Sequence, residues 1–497
     1  MLAVIAALLA APFAAALVSL RARAAAARAV TAITGVGSFG LVLALVPAAS
    51  RGEVRYLDYL RVDAISVVFL LATSFLYAAV AVYSLGYLAH SRRDAGFSRY
   101  SRRFYAGLNL FAWSMLAAPM MSNLALLWIA VEVTTVISAL LVAIEDTDGA
   151  AEAAWKYVLI ASAGLGLALL ATIFAYYAGA QVLGQHYNLS FGPLLQAGAR
   201  LPHTPVRLAF GLAVLGFGTK MGLFPVHTWL PDAHSEAPTP VSALLSGSLL
   251  AVSFYAILRY YQVATAALGP RFPRDVLLVF GIASLLLAAL YLIDQGDIKR
   301  LLAYSSMEHM GILAIGVSFG APIALAGVLL HVLGHAAAKG NAFMGAGVLV
   351  QKFGSKRISR ISGGLDLLPW SGPLFGVAVL ALCAMPPFGI FRSEFEIVEG
   401  GFAASSNVAA AVLIVLVTLA FLGLSAMANR MLLMPRQTCH TAQGDGAAAA
   451  PVRGEPSGWM VVPVVAGVAA LLVLGVHPPS ELTALLTRAV HEMGVAA

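Results

Sequence analysis

Lys220 stands inside an otherwise apolar run, in GFGTKMGLFPVHTWLPDAHSEAPTPVS (residues 216–242), with Pro225, His227 and His234 close behind it. A second lysine, Lys339, has the same kind of setting in LLHVLGHAAAKGNAF. Lysine can release its proton when desolvated, whereas arginine effectively never does. Only six of the 30 basic residues are lysine (Lys156, Lys220, Lys299, Lys339, Lys352 and Lys356), and arginine carries the ordinary surface charge. Two of those six fall deep in apolar runs, where no arginine is expected. The choice points to proton exchange rather than fixed charge. The plain alternative for Lys220 is a side chain that snorkels to the membrane interface.

Other titratable groups share this setting. Glu132 is the only acid in NLALLWIAVEVTTVISALLV, and a lone carboxylate at membrane depth is costly unless paired or protonated. Lys220 is its natural partner. His331, His335 and Lys339 recur at i, i+4 and i+8, which stacks them on one helical face over about 12 Å. Two imidazoles and an amine in a column can pass a proton along near neutral pH. Glu394, in GIFRSEFEIV, would end the column on the far side, unless neighbouring Arg392 takes it as a structural pair. His227 and His234 flank WLPDA and are expected to line a water-filled inlet near the break. Glu308 and His309, with Tyr304, Ser305 and Ser306 in AYSSMEHMGI, add hydrogen-bonding groups.

Histidines four apart can also hold a metal, but no carboxylate or thiol cluster accompanies them in the sequence, so no metal site is expected. Cys383 and Cys439 are the only cysteines and lie in no metal spacing, which argues against a disulfide framework, a zinc site or an iron–sulfur cluster. There is no phosphate-binding loop, dinucleotide fingerprint or nucleophile–base arrangement, and no cofactor or nucleic-acid partner is expected. The residues describe a proton or cation translocator that carries out no redox chemistry itself.

Such groups need a scaffold that places them inside a membrane. The 497 residues are 60% hydrophobic and 11% charged, with mean hydropathy +0.88; soluble domains carry about 25% charged residues. Apolar runs long enough to cross a hydrocarbon core recur from end to end. This predicts an all-α polytopic membrane protein of about fourteen spans, near 2–20, 29–49, 62–88, 105–121, 123–143, 157–180, 207–227, 239–261, 275–293, 301–319, 321–350, 372–391, 405–428 and 458–477. The first run has no basic flank ahead of it, and Arg21, Arg23 and Arg28 follow it, so it reads as a retained helix rather than a cleaved leader. Segment 181–206 reads as a long loop and 437–457 as a flexible linker.

Odd-numbered loops hold roughly 18 Lys and Arg and even-numbered loops roughly 8, which places the odd loops in the cytoplasm and both termini on the other side. Two spans are interrupted by proline, one near 216–231 and one near 381–398 (ALCAMPPFGIFRSEFEIV). Proline in a span frees backbone carbonyls that protein or water must satisfy. Broken helices in corresponding halves are the pattern of an inverted-repeat transporter with sites near the midplane. The alternative is that both prolines merely bend packed helices.

FGTKMGLFPVHTWLPDAHSEAPTPVSALLSG, DIKRLLAYSSMEHMG and HVLGHAAAKGNAF together resemble the antiporter-like, proton-translocating membrane subunits of respiratory complex I, the Mrp antiporters and the energy-converting NiFe hydrogenases. The resemblance covers roughly residues 60–430, with the motifs in matching order and spacing. SMEHMG and PPFGIFRSEF are most similar to the hydrogenase-4 (formate-hydrogenlyase type) membrane component. The resemblance implies three N-terminal helices (1–104), two inverted five-helix repeats (105–262 and 275–428) and a last helix with a tail (458–497). It implies that Glu132 is the charged-pair glutamate, Lys220 the broken-helix lysine, Lys339 the central-axis lysine and Glu394 the second broken-helix acid, which passes protons outward.

The implied partners are further antiporter-like subunits and a peripheral redox module of hydrogenase or quinone-reductase type, in the bilayer of a prokaryotic plasma membrane. The carried ion would be H+ or, alternatively, Na+. A multisubunit Na+/H+ antiporter with no redox partner is the other reading. Some relatives have a lysine in the eighth span, where this chain has Ala251 in GSLLAVSFYAILRY; either water or Ser253 then bridges the two halves, or the two half-channels are less well connected.

Overall fold

The computed structural model describes residues 2–52, 55–57, 59–89, 97–435 and 452–494. Most of the expected linker (437–451) and Cys439 lie outside the described residues. Helices α1 (Leu2–Arg21) and α2 (Ala24–Leu43) precede the short α3 (Val46–Ser50), a hairpin of β1 (Arg55–Leu57) and β2 (Leu60–Val62), and α4 (Ala64–Tyr87). Then come α5 (Phe97–Ala117), α6 (Leu124–Val142), α7 (Asp148–Leu183), α8 (Phe191–Ala197), α9 (His203–Met221), α10 (Trp229–Glu236), α11 (Thr239–Leu244) and α12 (Leu250–Leu268). The later half has α13 (Arg271–Leu292), α14 (Ile298–Phe319), α15 (Pro322–Phe353), α16 (Gly364–Leu367), α17 (Ser371–Leu382), α18 (Gly389–Ala403) and α19 (Asn407–Leu432). α20 (Gly458–Val476) and α21 (Ser480–Glu492) close the chain.

Ten stretches among the described residues are long and apolar enough to cross a membrane. α5, α9, α14 and the α17–α18 pair complete the expected fourteen, and each falls short for a physical reason. α5 begins with Arg99, Arg102 and Arg103, α9 carries Lys220, and α14 carries Lys299, Arg300, Glu308 and His309. α17 and α18 are parted by Pro386 and Pro387. The closely spaced fourth and fifth spans are separate helices: Pro119 ends the first, and Asn123 caps α6 by accepting from the Leu126 amide (2.7 Å).

The order of elements repeats. α5, α6, α7, α9–α10 and α11–α12 make one run of five spans; α13, α14, α15, α17–α18 and α19 make a second, and the break falls in the fourth span of each. An odd number of spans makes the second run enter the membrane from the opposite side. Through the centre passes α15, which packs on α4, α11, α14, α17, α18 and α20 and is buried almost without interruption from Ala324 to Leu349. Small residues permit the tightest approaches. A Cβ on Gly216 of α9 would stand 2.5 Å from the Ala168 nitrogen of α7, so only glycine lets these two helices close around Lys220.

Two expected boundaries are corrected. Segment 181–206 is not one open loop, because Phe191, Leu194 and Ala197 line one face of α8 and bury it against α12. α5 starts at Phe97 rather than near 105, since its basic first turns extend the helix beyond the apolar run.

One arginine does lie deep in a span. Arg259 of α12 is 1% exposed; its Nη2 donates to both carboxylate oxygens of Asp63 (2.6 and 2.8 Å), and its guanidinium lies 4.8 Å from the centre of the Tyr255 ring. Asp63 is the N-cap of α4, accepting from the Ser66 amide (3.0 Å).

The tail is likewise structured. α21 packs on α3 and α4, and Glu492 accepts from the Ala64 and Ile65 amides (3.3 and 3.1 Å). Burial pushes the Glu492 carboxyl up to about 7, and the charge of Asp63 adds to the rise. A raised acid favours the docked, protonated form. The support it gives is therefore complete below the ordinary carboxylate range and is lost as pH rises through about 7. Amide exchange in α21 is expected to quicken between about pH 6 and about pH 8 by more than its intrinsic base-catalysed rise. Glu492→Gln should remove that excess. Unchanged protection across the range would show that this carboxyl does not govern the docking.

Candidate functional site

The first cluster is built around the end of α9. Gly222 takes φ +84°, the Leu223 amide turns back to the Gly218 carbonyl (2.8 Å), Pro225 follows, and helix resumes only at Trp229. Lys220 thus occupies the last turn of a half-helix, whose free carbonyls favour a cation. It is fully buried, and its Nζ donates to Thr135 Oγ1 of α6 (2.6 Å) and Tyr157 Oη of α7 (2.7 Å). Tyr157 shares a further hydrogen bond with Ser138 (2.7 Å).

Among the described residues no direct ion pair joins Lys220 to Glu132. Glu132 Oε1 accepts from Ser162 (3.3 Å), and Oε2 is buried without a hydrogen-bond partner. Thr135, one helical turn along, takes the ammonium in its place. The sequence reading missed Thr135, Ser138 and Tyr157. The signal that could have found Thr135 is its hydroxyl three residues on from Glu132 in VEVTTVIS, near the face of that acid.

His227 lies in the break itself, 6% exposed, with Nδ1 unpartnered. His234 does not line an inlet. It is fully buried, stacks on Phe343 of α15 (5.4 Å between centroids), and neither ring nitrogen has a protein partner. The opposite face of α10 explains this: Asp232 pairs with Arg300 and Lys156, and Glu236 pairs with Lys356 (2.8 Å), which turns His234 inward. Lys339 is also fully buried, and its Nζ donates to the Leu302 carbonyl of α14 (3.1 Å). Glu308 is 3% exposed, with Oε2 unpartnered.

The second cluster joins α14, α15 and α18. His309 Nδ1 and His331 Nε2 are 3.1 Å apart, and His331 Nδ1 is 2.9 Å from Ser393 Oγ. His335 meets His309 edge to face (5.3 Å), with both of its nitrogens unpartnered. Glu394 Oε1 is 3.9 Å from His309 Nδ1. Arg392 pairs with Glu396 (3.0 Å), not with Glu394, and so leaves that acid to the histidines. Glu394 falls in the second turn of α18, nearer the helix end that favours an anion, an arrangement opposite to that of Lys220. The carboxylate missing beside the histidines in the sequence is thus supplied from another helix.

Ser253, one of the expected bridging groups, bonds within its own helix, to the Leu249 carbonyl (3.2 Å), and Tyr304 stacks on Tyr291 (4.5 Å), away from the buried groups. Ser246 and Ser306 of α14 share a hydrogen bond instead (2.7 Å). Ser246 belongs to a π-helical turn, Leu245–Leu249, which carries one extra residue and so re-aims the side chains within it. Ala251 is buried and offers nothing in place of a lysine.

Residues 121–422 match the family model described as NADH:quinone oxidoreductase/Mrp antiporter, TM. Over 366 residues the chain is 37% identical to the hydrogenase-4 component F homolog of Methylacidiphilum infernorum, covering 73% of this chain and 76% of that protein. It is 31% identical over 349 residues to hydrogenase-4 component B of Escherichia coli, covering 68% of this chain but 50% of that protein. Its fold is similar to that of a chain in the membrane-bound sulfane sulfur reductase, an archaeal respiratory membrane complex. The TM-score is 0.84 at 18% identity, over 99% of this chain and 96% of that one.

Proposed function

Because this chain belongs to the NADH:quinone oxidoreductase/Mrp antiporter transmembrane family, we propose that it is the proton-translocating, antiporter-like subunit of a respiratory-type oxidoreductase complex of the hydrogenase-4 or NADH–quinone oxidoreductase kind. One observation carries this reading. Buried ionisable groups run from one broken helix to the other: Lys220 and His234, then Lys339, Glu308 and His335, then His309, His331 and Glu394. Buried charges without a structural pairing mark transport paths rather than scaffolding.

In this reading the odd-numbered loops are cytoplasmic, both termini face the other side, and residues 105–262 and 275–428 act as two halves of one route. Protons enter from the cytoplasm and load Lys220. Glu132 stands one helical turn from Thr135 and acts on that lysine through space. The proton passes by His234 to Lys339, then to the histidines, and leaves past Glu394. The unpartnered nitrogens of His234 and His335 are positions from which water can carry it onward. Redox chemistry in a peripheral partner supplies the drive.

Vesicles that hold the intact complex are expected to build a proton gradient only while an electron donor is supplied. Transport at the same rate with no donor would favour a multisubunit Na+/H+ antiporter instead.

A further inference from the structure

We propose that His309, His331 and Glu394 form a binding site for a divalent transition-metal ion of the Zn2+ class, spanning α14, α15 and α18. The three residues also belong to the proton route above. Metal binding does not rest on that route; only its effect on transport does.

The donor atoms already converge. His309, His331 and Glu394 each offer one ligand atom within 4.8 Å of the others'; His309 Nδ1 is 3.1 Å from His331 Nε2 and 3.9 Å from Glu394 Oε1. A tetrahedral ion with bonds of about 2.0–2.1 Å holds its ligand atoms roughly 3.3 Å apart. Both separations lie within about half an ångström of that spacing. Two imidazoles and one carboxylate suit zinc and its neighbours, whereas Na+, K+ and Mg2+ prefer oxygen alone.

The surroundings prepare the ligands. Ser393 Oγ donates its proton to the Ile390 carbonyl (2.8 Å), so toward His331 Nδ1 it acts as the acceptor. That keeps the His331 proton on Nδ1 and leaves Nε2 bare, the form that binds a metal, with the serine as an orienting partner. Glu394 Oε1 has no hydrogen bond, and the unpartnered His309 Nε2 can carry that ring's proton once Nδ1 binds. Arg392 does not neutralise the carboxylate, being paired with Glu396. Glu394 also lines a cavity of about 490 Å³ with Cys383, Phe391 and Phe421.

A bound ion would occupy the lone pairs through which the histidines hand on a proton and would pin three helices together.

The test is a Zn2+ titration of the full chain in its complex, with a competing chelator, followed by Co2+ substitution. One tight site per chain and the visible absorption of tetrahedral Co2+ are expected. Glu394→Gln and His309→Gln should each lose the tight site, and Ser393→Ala should weaken it about 10–100-fold. His203→Ala, at an exposed position on α9, should leave it intact. Equal binding by wild type, Glu394→Gln and Ser393→Ala would overturn the proposal, as would no tight binding by the wild type. Melting curves taken without metal separate lost ligands from lost fold. Should the ligand variants not fold, Ser393→Ala and the Co2+ spectrum of the native chain still decide. Zn2+ that binds here but leaves proton transport unslowed would support the site and overturn the route instead.

Discussion

Lys220→Met is expected to lower donor-driven proton translocation in vesicles by about 100-fold or more, the scale set by removing a group that takes part in proton transfer. Methionine keeps most of the stem's volume and its apolar contacts and removes only the ammonium. Thr135 loses its bond to the ammonium, but the other neighbours keep a partner. Tyr157 keeps its hydrogen bond to Ser138, and Glu132 keeps Ser162, so the cluster is not left with a newly orphaned charge pair. Lys220→Arg sharpens the comparison, since it preserves the positive charge but cannot release a proton at working pH. Both variants should assemble and neither should pump. An arginine variant with wild-type pumping would make the lysine a fixed counter-charge, and a methionine variant with wild-type pumping would remove it from the mechanism.

The largest loss of stability is expected from Arg259→Met. Burial pushes the Asp63 carboxyl up, but the guanidiniums of Arg259 and Arg61 outweigh it and hold the group well below the ordinary carboxylate range. A depressed acid supports the fold above that range and loses its support only as pH falls through the lowered value, so at neutral pH the contribution is complete. Removing Arg259 leaves Asp63 fully buried, with Arg61 (3.0 Å) and Ser66 as its polar partners. Breaking a buried pair from one side costs about 3–5 kcal/mol, whereas replacing both partners with apolar or neutral groups is often close to neutral. Thermal melting in detergent should therefore fall sharply for Arg259→Met and recover in large part for the Asp63→Asn, Arg259→Met double variant. A single variant that melts like the wild type would show that the pair is not what holds α4 to α12.

Much of the scaffold was legible because its rules are local. The length of an apolar run gives a span, since it must match a hydrocarbon thickness. Pro225 and the Pro386–Pro387 pair give the breaks, since proline cannot donate to a helix ladder. The 3.6-residue period puts His331, His335 and Lys339 on one face of α15 whatever surrounds it. A lysine where the neighbours are apolar, in a chain that otherwise prefers arginine, already speaks for proton exchange. The resemblance of the motifs to a transport family added the roles of Glu132 and Glu394, which spacing alone does not carry.

What packing decided is which of these groups touch. Thr135 and Tyr157 hold Lys220 in place of the direct partnership with Glu132. Ser246 reaches Ser306 of α14, while Ser253 bonds within its own helix, because a π-turn re-aims the side chains there. Arg259 finds Asp63 at the cap of a span far away in sequence, and Glu394 arrives beside His309 and His331 from a third helix. Periodicity tells which way a side chain points from its own axis, but the apolar faces of these spans are nearly interchangeable in composition. Their neighbours are settled by small-residue contacts such as Gly216 on Ala168 and by a few buried hydrogen bonds, and these form only when the whole bundle is in place.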